Sequence, residues 1–367
     1  MSEKILRYFA GGNTAKGFYS LYDTNLAELE RVFVLSGKSK KEKSNIINHL
    51  IKKWNDFDYP MEIIHRASNP DEAEGLIIRK LSFAIVDGDH PREMGKEHIV
   101  AQWETIDLDQ SDRTADLNDE INEVIDLKVK IEQSCLHAYK AYETGLKVHD
   151  EWERIYIDHM NFDLADNVAK SLISTLFKKP GAAANKDSNI KRRFLGAATP
   201  IGPVDFVDNL TEGLSARYFI KGRAGTGKST LLKKIAAEAE KNGFDIEIYH
   251  CGFDPKSLDM VVVRELGWAI FDSTLPHEYF PTRPGDEIVD MYELTVAPGT
   301  DEAFAEEIAN VEARYREQMK LGKFYLAEAK KYEDELEAIY SKVSDHAQTN
   351  LMIEELEHLM VNQSSHS

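Results

Sequence analysis

Short apolar runs and longer helically spaced runs alternate along this chain, and they do so twice. In the second half, Arg217 to Lys221 (RYFIK) predicts a buried strand, Thr230 to Lys241 a helix, and Asp245 to His250 and Leu266 to Asp272 two further strands. In the first half, Arg31 to Ser36, Met61 to His65 and Leu81 to Asp87 predict the matching strands. Strands alternating with helices at this spacing predict an α/β fold with a mostly parallel sheet and flanking helices. Beyond each set lies a long charged stretch, 117–177 and 301–360, with Ile121, Ile125, Val129, Leu136, Tyr139 and Leu146 at helical spacing in the first. These stretches predict paired helices or arms. Residues 178–189, with Pro180, Gly181 and a run of small residues, read as a linker between domains at 1–180 and 190–360, and 361–367 as a disordered tail.

The alternation repeats because the sequence repeats. A shift of 185 residues, which sets Gly222 on Gly37, aligns Phe9 to Pro91 with Phe194 to Pro276 without a gap. Phe9, Gly11, Thr14, Gly17, Asp23 and Leu29 meet Phe194, Gly196, Thr199, Gly202, Asp208 and Leu214. Lys43, Ser44, His65 and Asp87 meet Lys228, Ser229, His250 and Asp272. A shift of 184 then sets EWERIY (Glu151 to Tyr156) on ELEAIY (Glu335 to Tyr340). An ungapped register over that length predicts two homologous domains.

Between the strand RYFIK and its helix lies Gly222-Arg223-Ala224-Gly225-Thr226-Gly227-Lys228-Ser229, which matches the P-loop pattern G-x-x-x-x-G-K-[ST] in the strand–loop–helix context that the pattern requires. Glycines let backbone N–H groups curl around phosphate oxygens, and the helix N-terminus adds favourable dipole charge. Lys228 would reach the β- and γ-phosphates of a nucleoside triphosphate. Ser229 would take one magnesium position, and Thr230 would support the helix start. Asp272, closing the run LGWAIFD, is placed to hold magnesium or its water, or else caps the turn DSTLP. In the first copy the frame reads Gly37-Lys38-Ser39-Lys40-Lys41-Glu42-Lys43-Ser44, so Lys40 and Glu42 replace Gly225 and Gly227. A Cβ and a negative charge where an anion should approach predict a degenerate site, or else a basic loop whose lysines hold some other phosphate.

Other residues offer chemistry of less definite kind. His250, Cys251, Asp254 and Asp259, in HCGFDPKSLD, stand where a second substrate or attacking water would lie, or else close a turn. His277 follows Asp272 by five residues and reads as a γ-phosphate neighbour or a surface histidine. GAATPIG (Gly196 to Gly202) mirrors GGNTAKG (Gly11 to Gly17) and reads as a plain turn or as backbone lying against a base or sugar.

Composition narrows the partners. A formal net charge of −19 argues against general nucleic-acid binding. Two cysteines, Cys135 and Cys251, one per half, give no disulfide or zinc pattern, and no apolar stretch of signal or membrane-spanning length occurs. A cytoplasmic protein is expected.

The lead-in FLGAATPIG, the loop GRAGTGKST, the turn HCGFDPKSLD and the segment AIFDSTLPH resemble an uncharacterised bacterial family of tandem P-loop proteins, described as ATPases or nucleotide-kinase-like. The resemblance covers the whole chain and implies nucleotide binding. In that family both loops tend to be intact, whereas here only the second is, so it does not imply two working sites. The sequence is therefore expected to give a magnesium-dependent ATPase using the C-terminal site only. The alternatives are a small-molecule kinase and a non-catalytic ATP-bound scaffold whose arms bind a protein. ATP is favoured because no guanine-specific Asn-Lys-x-Asp motif occurs.

Overall fold

The computed structural model describes residues 5–57, 59–89, 102–111, 120–178, 187–276, 278–343 and 346–364. The first half runs β1 (Ile5–Tyr8), β2 (Gly11–Thr14), β3 (Gly17–Ser20), α1 (Tyr22–Leu26), β4 (Arg31–Ser36), α2 (Lys40–Asn55), β5 (Met61–Arg66), β6 (Asn69–Ile78), β7 (Phe83–Asp87), β8 (Gln102–Asp107), α3 (Ile121–Ile157) and α4 (Phe162–Leu176). The second half repeats the plan. It runs β9 (Ile190–Phe194), β10 (Gly196–Thr199), β11 (Gly202–Asp205), α5 (Val207–Leu210), β12 (Ala216–Lys221), α6 (Lys228–Lys241), β13 (Ile246–His250), β14 (Leu258–Val263), β15 (Trp268–Asp272), β16 (Asp286–Asp290), α7 (Met291–Thr295), α8 (Thr300–Ala303), α9 (Ala305–Tyr340) and α10 (His346–Ser364).

Each half builds one six-stranded sheet, β1-β5-β6-β7-β4-β8 and β9-β13-β14-β15-β12-β16, and these are the same order position for position. In each, only the third strand, β6 or β14, runs against the others. The fold is thus mixed α/β with two mostly parallel sheets, consistent with a duplicated domain. The expected strands are present. The antiparallel strands were not read from the sequence, because 258–263 follows a turn closely enough to pass for its continuation. GAATPIG forms the two-stranded ladder β10–β11, as GGNTAKG forms β2–β3.

Alternation along the strands sorts side chains to two faces. Val32 and Val34 of β4 join an inner core with Phe219 of β12 and Phe271 of β15, so the two sheets share one hydrophobic cluster. Phe33 and Leu35 point the other way, against Ile46, Ile47 and Leu50 of α2. The halves meet about a pseudo-twofold axis. Phe9 and Phe194, equivalent residues, exchange backbone hydrogen bonds of 3.1 and 2.9 Å.

The arms α3 and α9 lie antiparallel, each about 55 Å long at 1.5 Å per residue. Arg314 reaches Glu151 at 2.6 Å near one end, and Lys342 reaches Glu120 at 2.5 Å near the other. Each arm then delivers its last helix to the other half. Ala169 and Leu176 of α4 pack with Leu232 and Ile235 of α6. Leu356 and Met360 of α10 pack with the α2 side of the first sheet. Spatially the halves therefore exchange helices; of the expected linker at 178–189, residues 179–186 lie outside the described residues. α10 runs on through Ser364, so helix extends into the stretch expected to be a disordered tail. No helix among the described residues is long and apolar enough to cross a membrane.

Candidate phosphate-binding site

The parallel strands of the second sheet all end on one side, and residues 222–227 leave that side at the end of β12. Its neighbour β15 runs parallel, with Ile220 level with Asp272, so loop and carboxylate emerge together. Gly225 and Gly227 adopt φ of +74° and +78°, in the left-handed region that glycine enters at no steric cost. Gly227 caps α6, and Lys228 and Ser229 form its first turn. Lys228 Nζ donates to the Arg223 carbonyl at 2.7 Å and lies 3.6 Å from Asp272 Oδ2. The other oxygen of Asp272 accepts from Thr274, through its N–H at 3.0 Å and its hydroxyl at 2.6 Å. One oxygen of Asp272 thus caps the DSTLP turn, as one of its two readings expected, while the other faces the lysine. Ser229 Oγ accepts from the Leu258 N–H at 3.0 Å, Thr226 Oγ1 donates to the Arg223 carbonyl at 2.9 Å, and Thr230 is exposed.

Gly222 and Ala224 complete the loop, and Arg223 turns outward to Asp301 at 2.9 Å while stacking over Tyr292. Tyr156 of α3 donates to the same aspartate at 2.9 Å.

The far end of α3, which belongs to the first half, closes over this loop. Sequence reasoning missed this contribution. A Cβ added at Gly225 would run into the Glu153 backbone, and Met160 and Met291 lie over Gly227. Burial first, then the charges of Asp150 and Asp254, raise the Glu153 pKa against the opposing pull of Lys228. His149, whose pKa is lowered by burial and by Lys228, stands with Asp150 and Glu153 so that their ligating atoms lie within 4.8 Å of one another. The only sequence signal for this approach was the repeat EWERIY/ELEAIY.

The first half shows what became of the equivalent loop. Without its two glycines, α2 begins three residues earlier than α6 relative to the repeat, at Lys40, with Ser39 Oγ accepting from the Glu42 N–H. A helical turn stands where the second half has its glycine loop. Lys43, fully buried, is held by Asp87 at 2.6 Å and Asp89 at 2.9 Å, and Arg66 adds a second cation to Asp87 at 2.8 Å. Burial opposes ionisation of Asp87, but Arg66 and Lys43 overcome it and hold its carboxyl below the usual range. Glu337, the repeat equivalent of Glu153, accepts from the Lys40 N–H at 2.7 Å and from Ser39 Oγ at 2.6 Å.

The remaining candidates serve turns. His250 Nδ1 bonds the Pro255 carbonyl at 2.7 Å and Nε2 lies 3.2 Å from Arg192; His65 repeats both contacts with Pro70 and Arg7 at 2.8 and 3.1 Å. A pairing kept in the half without a glycine cradle is a structural one. Asp254 accepts from Ser257 Oγ at 3.0 Å within its own turn, and Asp259 lies on β14. Burial raises the Cys251 thiol well above its ordinary range, which removes the thiolate needed for nucleophilic chemistry. His277 lies outside the described residues.

No protein-family model, no curated protein and no solved structure matches this chain.

Proposed function

We propose that the second half binds one nucleoside triphosphate, ATP, with magnesium, and hydrolyses it, using its helical arms as the responding element. The observation that carries this reading is the contrast between the halves. The 222–229 loop keeps two left-handed glycines with Lys228 beside an aspartate on the adjacent strand, while its counterpart has turned into helix with its lysine buried in an ion pair.

The residues fit an anionic ligand, because the loop that holds Gly225 and Gly227 at positive φ leads into the N-terminus of α6 with Lys228 folded back beside it. Residues 222–230 would surround the phosphates, with Lys228 countering their charge. Ser229 and Asp272 would hold magnesium, which when bound neutralises charge on phosphate oxygens. Asp290 caps α7 and Asp254 closes its own turn, so neither of these two carboxylates is poised for a second substrate. That favours water over an organic acceptor, hence hydrolysis over transfer.

Phosphate release from ATP by the purified protein tests this reading. Release should require magnesium and should be lost in Lys228→Ala, and Ser229→Ala and Asp272→Asn should each weaken the magnesium response. Release at the wild-type rate and with the wild-type metal response in all three variants would overturn the assignment.

A further inference from the structure

The two arms end in one short pattern. Under the 184-residue shift HDEWERIY (His149 to Tyr156) of α3 stands on EDELEAIY (Glu333 to Tyr340) of α9, so that His149, Asp150 and Glu153 match Glu333, Asp334 and Glu337. In each trio the first and last residues are four apart and the middle and last three apart on a helix, which brings all three side chains to neighbouring positions. In the first half the loop supplies this trio with a cation. Lys40 Nζ donates to Glu333 at 2.7 Å, and Glu337 accepts from the Lys40 N–H at 2.7 Å, so two of the three carboxylates hold that one residue.

In the second half the 185-residue shift puts Gly225 in the place of Lys40, with the Glu153 backbone against it, so the loop has no side chain to offer there. Among the described residues no lysine or arginine forms a salt bridge with Asp150 or Glu153, whose one such contact is with His149. Lys228 opposes positive charge at this place, and Asp254 and Asp272 offset it. The exchange of Glu333 for His149 also changes the donor set. Two carboxylates and one ring nitrogen remain, which balance a divalent charge and suit a first-row ion. The ligating atoms of the three lie within 4.8 Å of one another. His149 Nδ1 and Glu153 Oε1 are 3.7 Å apart, too far for a hydrogen bond and close to the spacing of two donors that each stand about 2.1 Å from one ion. Asp150 is exposed, so such an ion would keep positions for water.

We propose that His149, Asp150 and Glu153 form a divalent metal site, which takes a first-row ion such as Zn2+, Mn2+ or Co2+ where the first half uses the Lys40 ammonium. The site does not depend on 222–229 binding nucleotide. It stands on the arm of the first half against the loop of the second, so an ion there brings positive charge to the edge of that loop. The repeat thus solves one electrostatic problem twice, with a side chain of its own in one half and a bound ion in the other.

Titration of the full chain with Co2+ in the absence of nucleotide, followed by calorimetry and by the visible absorption of bound cobalt, tests the site. One equivalent should bind. His149→Ala should weaken it on the order of tenfold or more and change the spectrum, because a nitrogen ligand is lost. Asp150→Asn, at an exposed side chain, should weaken it on the same scale and keeps the test open should His149→Ala disturb folding. Glu333→Gln should leave binding unchanged. Lys228→Ala should bind cobalt at least as tightly as wild type, so a chain that has lost the nucleotide site still reports on the metal. Wild-type affinity and spectrum in both His149→Ala and Asp150→Asn would overturn the site, as would equal weakening by Glu333→Gln. So would several weak equivalents that no variant changes, the behaviour of a surface with a net charge of −19.

Discussion

Two lysines at one position of the repeat carry opposite burdens. Lys228 is only loosely paired, with a backbone carbonyl at 2.7 Å and an aspartate at 3.6 Å as its neighbours, and on the reading proposed above its charge serves a ligand. Lys228→Ala should abolish nucleotide binding while lowering the unfolding midpoint far less than Lys43→Ala, since it removes one hydrogen bond and one long ion contact rather than a member of a buried charge cluster. Lys43 is buried between Asp87 and Asp89, and Asp87 also carries Arg66. Removing one partner of such a cluster leaves buried charge uncompensated, so Lys43→Ala should cost about 3–5 kcal/mol, measured by denaturant unfolding. An unchanged midpoint for Lys43→Ala would mean that the buried cluster is not holding the first half together. The sequence made both lysines visible through the motif frame. It did not reveal that Lys43 is locked, because Arg66 at the end of β5 and Asp89 in the turn after β7 reach the cluster only through the folded sheet, which no local pattern specifies.

At the scale of elements, the two exchanges that degrade the first loop act through helix formation as much as through charge. Lys and Glu favour helix far more than Gly, and Ser39 supplies the N-cap, so the first turn of α2 grows into the space of the cradle. Restoring glycine with Lys40→Gly and Glu42→Gly together should therefore shorten α2 but fail to create nucleotide binding, because Lys43 stays paired and Glu337 stays seated. A second nucleotide equivalent in that double variant would show that the glycines alone decide. Among the arms, Gly322 faces the ring of buried Tyr142, with no room for even one added carbon. Gly322→Val should cost about 1–3 kcal/mol by overpacking, read as a lower unfolding midpoint. Helical periodicity made the arms legible. Their antiparallel pairing and the exchange of α4 and α10 were not, since a helix with an apolar stripe does not state whose sheet it will cover.

The whole molecule is held along its pseudo-twofold axis by charge as well as by the shared core. Arg193, buried over the Tyr8 ring, reaches Glu62 of the first half at 2.7 Å and Glu247 of its own half at 3.4 Å. Burial works against the charge of Glu62, but Arg193 and Arg79 prevail and hold its carboxyl at about 2; Glu247 is lowered by Arg193 and Arg264 in the same way. Their stabilisation is complete above the ordinary carboxylate value of 4.5 and is lost as pH falls from there towards 2. His65, lowered by burial to about 4, works in the same direction as pH falls from 6.5. Glu74, raised by burial to about 7, has the opposite sign, and its effect falls between 4.5 and 7. Unfolding midpoints should thus drop steeply below pH 4.5, and less steeply in Arg193→Met. A flat acid profile would separate this network from the docking of the halves. The duplication was readable from the ungapped register, whereas this network was not, because Glu62 and Arg193 are 131 positions apart and only the pairing of the two halves brings them together.

The asymmetry between the two loops is the centre of the account, and stoichiometry tests it most directly. Calorimetric titration of the full chain with a slowly hydrolysed ATP analogue and magnesium should give one equivalent per chain, lost in Lys228→Ala and kept in a folded Lys43→Ala. Two equivalents of comparable affinity, or one equivalent that disappears with Lys43→Ala and survives Lys228→Ala, would contradict it.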